Sequence, residues 1–154
     1  MFAIIRVRSP TKVNVDIETT MKLLNLTRSN HCVIYQENAV IKGMLHKIRN
    51  MVTYGEITSE TLKKMLVKRG FVYNEKGKLV KFKDHYKDEK KADKVIADLI
   101  AGKAKLNDLG IKPVFRLKPP TKGYDRKGIK KTFKEGGVLG YRADQINKLL
   151  IKMI

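Results

Sequence analysis

Three short apolar runs alternate with three stretches in which apolar residues recur at helical spacing. No other feature of this 154-residue chain constrains its fold as strongly. The runs are Phe2–Arg8 (FAIIRVR), His31–Gln36 and Met51–Ile57 (MVTYGEI), rich in residues that suit a pleated strand. Pro10 stops the first. Asn14 is placed to cap the first helix, with Asp16 and Glu18 in the turn where the helix dipole favours acids, and Ile17, Met21 and Leu24 form its inward stripe. Asn38 caps a second helix with Ile41, Leu45 and Ile48 on one face. Thr58 caps a third with Leu62, Met65 and Leu66 inward, and Gly70 is expected to close it in the left-handed conformation. Alternation of this kind lays helices on a sheet. The shortness of the segments predicts the α+β class, with a ferredoxin-like β-α-β-α-β core sandwich over residues 1–70.

Two further segments are expected. In 71–112, Phe71–Tyr73 and Leu79–Phe82 flank a hairpin turn at residues 74–77. The stretch Lys76–Lys94 holds eight lysines and four acids, and part of it reads as a solvated loop. Val95, Ile96, Leu99 and Ile100 mark a helix ending at Gly102. In 113–154, an α/β extension, a strand at Val114–Leu117 leads into a basic glycine-rich loop. A terminal amphipathic helix carries Ile146, Leu149, Leu150 and Met153 and packs back on the core.

Charge bears on partners more than on fold. Lys and Arg number 34 against 15 Asp and Glu, a net charge of +19. Such an excess seeks a polyanion, whose released counterions make binding favourable and salt-sensitive. Nucleic acid and an anionic membrane both qualify. There is no apolar run of about 18 residues and no signal peptide, so neither a membrane span nor secretion is expected. The charge is concentrated: Arg116–Lys134 holds eight basic residues (Arg116, Lys118, Lys122, Arg126, Lys127, Lys130, Lys131, Lys134) and one acid, Asp125. Gly123, Gly128, Gly136, Gly137 and Gly140 interrupt the region and can bring backbone amides to phosphate. Tyr124, Phe133 and Tyr141 are interleaved, as suits stacking on unpaired bases. The alternative is a solvated charge run. If a polyanion is the partner, this loop is mobile until its like charges are neutralised. On the second helix, Lys42, His46 and Arg49 share a face that can lie along a phosphate backbone or simply face water. Gly43 in mid-helix costs about 1 kcal/mol relative to Ala, which either tight packing on the sheet or the close approach of a partner would explain.

Catalysis is not expected. His31, His46 and His85 are scattered, and no His-x-x-x-His pair, phosphate-binding loop or nucleophile elbow is present. A single cysteine, Cys32, excludes an internal disulfide and a cysteine-based zinc site; it reads as a small buried hydrophobe in a strand, in a reducing cytosol.

Several blocks carry a resemblance. Leu23–Leu26, His31–Val33, Ile41–Leu45 (IKGML), Met51–Ile57, and then Phe133–Arg142 (FKEGGVLGYR) and Gln145–Leu150 (QINKLL) together resemble the family-thirty proteins of the large ribosomal subunit, in the long archaeal and eukaryotic form. The length and the lack of an N-terminal extension look archaeal. The resemblance implies a ferredoxin-like core and a structural, non-enzymatic role without cofactor or metal. It implies a single copy in the cytoplasmic ribosome, contact with large-subunit ribosomal RNA, proximity to 5S RNA, and neighbouring large-subunit proteins. RNA contacts are then expected at Lys42, Gly43, His46, Lys47 and Arg49 of the second helix. Others are expected at Lys118, Lys122, Tyr124, Arg126, Lys127, Lys130, Lys131, Phe133, Lys134, Gly136, Gly137, Tyr141 and Arg142. The reading that competes with it is a free-standing basic protein binding DNA or RNA, which the charge alone supports equally.

Overall fold

The computed structural model describes residues 1–9, 13–74, 77–86 and 89–154. Pro10, the expected stop of the first strand, lies outside them, as do the hairpin tip at 75–76 and residues 87–88 of the lysine-rich stretch. The structure is built outward from β1 (Phe2–Arg6), all five residues of which are buried. This strand lies at the centre of a five-stranded sheet ordered β6-β2-β1-β3-β7. It runs antiparallel to both β2 (His31–Tyr35) and β3 (Val52–Glu56). β2 and β3 are therefore parallel to each other with β1 between them, the split β-α-β arrangement of a ferredoxin-like α+β fold.

Because β1 is apolar at every position but its last, both faces of the sheet must be covered. Phe2 and Ile4 point to one side, where α1 (Val15–Leu23) and α2 (Ala39–Ile48) cover them with Met21, Leu24, Ile41, Leu45 and Ile48. Ala3 and Ile5 point to the other, where α3 (Ser59–Arg69) contributes Leu62, Met65 and Leu66. The expected caps hold for α1 and α2: Asn14 Oδ1 accepts from the Asp16 amide, and Asn38 Oδ1 from the Ile41 amide at 2.7 Å. Thr58 sits at the N-cap of α3 without a side-chain capping bond; its hydroxyl lies 3.0 Å from that of Thr61.

The rest of the chain completes the second face. The hairpin β4 (Phe71–Tyr73) and β5 (Leu79–Lys81) leads into α4 (Phe82–His85) and α5 (Glu89–Ile100). Phe82, Ala92, Ile96 and Leu99 enter the same core as Ile5 and Leu66, so the lysine-rich stretch is not simply a solvated loop. β6 (Val114–Arg116) extends the β2 edge. β7 (Gly140–Tyr141) pairs in parallel with β3. α6 (Gln145–Met153) buries Ile146, Leu149, Leu150 and Met153 in the shared core. Near its start, Asn147 accepts from the Thr58 amide and donates to the carbonyl of Glu56, 91 residues away, locking α6 to the end of β3 and the start of α3. Cys32 is fully buried between strands. Burial pushes its thiol up to about 12, so it stays protonated and inert.

One expectation is corrected. Gly70 closes α3 in an extended conformation, φ −73° and ψ 141°, and not in the left-handed one. Its role is spatial. A Cβ at this position would overlap the Leu66 carbonyl and crowd Phe82, whose amide bonds the Gly70 carbonyl at 3.0 Å as the chain returns over the helix end. Gly70→Ala should therefore destabilise the chain by about 1–3 kcal/mol, the cost of forcing extra volume into a packed site. Urea denaturation measures it, and an unchanged midpoint would contradict the steric reading.

Candidate nucleic-acid interface

The apolar stripe of α2 turns Ile41, Leu45 and Ile48 inward, and this leaves Lys42, Gly43, His46, Lys47 and, just past the helix end, Arg49 all exposed. His46 and Lys47 in the last turn also suit the negative end of the helix dipole. The acid Glu37, immediately before the helix, pairs with Lys42. At such exposure that pair is worth little and leaves the face open to a competing anion. A Cβ added to Gly43 would have nothing within 4 Å, so internal packing does not explain this glycine. Val40, 65% exposed, lies on the same side of the helix one turn earlier.

Beside this helix the sheet carries an aromatic ladder. Tyr54 of β3 and Tyr141 of β7 are paired in register, their ring centroids 5.5 Å apart, and Phe2 meets Tyr54 edge-on at 5.9 Å. The Tyr141 hydroxyl donates to Glu56 at 2.7 Å. That bond, with the neighbouring negative charges of Glu56, Asp144 and Glu37, holds its pKa up at about 12. The ring is thus anchored at its tip, while 47% of the residue remains exposed.

The basic loop has a skeleton of its own, and the sidedness of its residues explains it. Its start is tied to α6: the amides of Lys118 and Thr121 donate to the carbonyls of Met153 and Lys152. Tyr124 packs with Val7, Val138 and Leu139, and its hydroxyl lies 3.0 Å from Asn30 Oδ1. Arg142 is the hub. Only 4% exposed, it donates through Nε to Thr53 Oγ1 at 2.9 Å and through Nη2 to Asp125 and to the Val138 carbonyl, both at 3.0 Å. Its guanidinium also lies 4.6 Å from the centre of the Phe133 ring. Burial lowers its pKa while Asp125 opposes the change, and Arg142 stays charged.

Four of the expected contact residues therefore have internal work. Arg142 is buried; Tyr124 and Phe133 are half-buried against the core and against Arg142. Gly137 is buried, and a Cβ there would collide with the Lys131 backbone. The remaining loop cations, Lys118, Lys122, Arg126, Lys127, Lys130, Lys131 and Lys134, are all exposed, and among the described residues none belongs to an ion pair. Gly136 is exposed as well, at φ +87°. The single acid of the block, Asp125, is the one that Arg142 uses, so the outer surface keeps its full positive charge. A lone acid in a basic block was the sequence signal for this internal pairing. Val7 bonds Met51 and packs on Tyr124, so this loop and the turn after α2 meet at the end of the sheet where β1 stops and β3 begins.

Sequence reasoning missed Arg28, in the turn before β2, and Lys112, just before β6, which the fold brings to the same sheet edge as His31 and Arg116. Among the described residues there is no cluster of acids, histidines and cysteine that could hold a metal, and no helix long and apolar enough to cross a membrane.

Arg142→Lys keeps the charge but loses the fork and the ring contact. It should cost about 2 kcal/mol, the scale of hydrogen bonds to a charged group, and speed amide exchange across 124–139. Unchanged exchange there would show that the loop is held by something else.

Comparisons with known proteins bear on the whole chain. Residues 2–52 match the family described as ribosomal protein L30p/L7e. The large ribosomal subunit protein uL30 of Methanococcus vannielii is 48% identical over 153 residues, covering 99% of each chain. That of Methanococcus maripaludis is 48% identical over 156 residues, again with 99% of each chain. That of Nanoarchaeum equitans is 45% identical over 157 residues, all of this chain and 99% of its own. With relatives this similar from end to end, the chain belongs to the ribosomal protein L30p/L7e family.

Proposed function

We propose that the chain is a structural constituent of the large ribosomal subunit in the cytoplasm, where it binds large-subunit ribosomal RNA beside other proteins of that subunit. It is not an enzyme. The observation that carries this reading is the likeness over the full length to proteins named for that subunit. The surface supports it: one set of outward cations lies on α2 and another on the loop, and the loop meets the turn after α2 at the end of β1. On this reading Lys42, His46, Lys47 and Arg49 lie along one stretch of phosphate backbone. Lys118, Lys122, Arg126, Lys127, Lys130, Lys131 and Lys134 take another, with Gly136 letting the backbone come close. Each neutralised phosphate releases counterions and adds to the salt dependence of binding. Tyr141, fixed at its tip and open on its ring, offers an unpaired base a stacking surface. The subunit's 5S RNA lies nearby on the same reading.

Sedimentation of extract at moderate salt tests the function: the protein should travel with large subunits, and recovery only in free fractions would refute it. Gly43→Ala tests the α2 contact. With open space around the position, alanine should stabilise the free chain by about 0.5–1 kcal/mol and yet weaken RNA binding, as a methyl intrudes where the partner lies. An unchanged RNA affinity would remove Gly43 from the contact.

A further inference from the structure

The edge of the sheet furthest from Tyr141 carries a second concentration of charge. His31, the first residue of β2, pairs in register with Arg116 of β6. Alternation along the strands puts both on the α1 side of the sheet, since Cys32 and Phe115 face the opposite core. Arg28 lies in the turn just before, its carbonyl accepting from the His31 amide at 3.3 Å. Lys112 precedes β6 on the same alternation as Arg116, and Arg6 lies at the end of the adjoining β1. His31 is only 8% exposed, its Nδ1 3.4 Å from the Thr27 hydroxyl. Like charges facing each other across strands destabilise a sheet. Arg6 is spent internally on the carbonyls of Leu26 and Arg8. Arg28, Lys112 and Arg116 belong to no ion pair among the described residues. Arg28 and Arg116 thus flank a nearly buried imidazole beside the edge strand β6, with Lys112 further along the same face, an arrangement that an external anion would relieve.

We infer that this β2–β6 edge is a further RNA-binding surface, on which Arg28, Lys112 and Arg116 hold backbone phosphates over His31. The inference rests on the proposed role in binding ribosomal RNA and extends it to an edge separate from α2. His31 supplies an internal reporter. Burial lowers its pKa first, and Arg116, Arg28, Arg6 and Lys112 lower it further, in that order. An anion seated among these cations screens them and moves the pKa upward.

The experiment follows the His31 ring protons by NMR across pH in the full chain, alone, with a large-subunit ribosomal RNA fragment, and with inorganic phosphate. RNA should raise the His31 pKa, and phosphate at millimolar concentration should not. The double variant Arg28→Gln/Arg116→Gln should raise it without RNA and lower the slope of log affinity against log salt by about two, one per lost phosphate contact. Lys42→Gln/Arg49→Gln should weaken binding while leaving the RNA-induced His31 shift in place. RNA that binds the wild-type chain without moving His31 overturns the inference and spares the proposed function. A shift with phosphate alone marks a free-anion site and also overturns it. Loss of all RNA binding by the wild-type chain overturns both.

Discussion

Burial of β1 on both faces is the constraint from which the rest of the structure follows. A strand with apolar side chains above and below has no side for water, so helices must lie on each face. α1 and α2 cover one of them. On the other, α3 shares the work with Phe82, with Ile96 and Leu99 of α5, and with α6, elements drawn from the whole remaining length. The three segments that composition distinguishes therefore share the core on this face, although the middle one keeps its strands β4 and β5 in a separate hairpin. With the apolar groups used in this way, the large excess of positive charge is left at the surface, where a polyanion can reach it.

A single buried cation then organises the part of the surface that carries most of this charge. Arg142 joins β3 at Thr53, the loop at Asp125 and Val138, and the ring of Phe133. Burying a guanidinium is costly unless it is paired and fully bonded. Here the pairing consumes the only acid among eight cations, which leaves the neighbouring lysines unneutralised. The loop keeps its shape through inward groups, and its remaining cations are exposed to solvent. Any partner would meet it as a partly built surface, which lowers the ordering cost of binding.

Much of the fold is legible in the residues. The apolar runs, the caps at Asn14 and Asn38 and the inward stripes of the helices all follow from local periodicity and short-range hydrogen bonding. The α2 face is legible for the same reason, because its burial pattern fixes which residues remain outside. Gly70 shows the limit. Its position at a helix end suggested a left-handed cap, whereas the need came from Phe82 returning over it. The loop shows the same limit more strongly. Tyr124, Phe133 and Arg142 have the chemistry of RNA contacts, and nothing local separates an aromatic ring that stacks on a base from one that packs on Val7.

By itself the sequence determined the order of the first three strands and helices, the apolar character of β1, the excess of positive charge and its concentration in one loop. Tertiary structure alone decided which cations face outward and which are spent inside. Arg6 and Arg142 look like any other arginine in the chain, yet both are buried. It also decided that two residues, Gly140 and Tyr141, would form a strand beside β3, and that Arg28, Lys112 and Arg116 would gather at the far edge. The physical reason is distance along the chain. The bond from Arg142 to Thr53 spans 89 residues, and such contacts arise from packing the whole core, which no local pattern encodes.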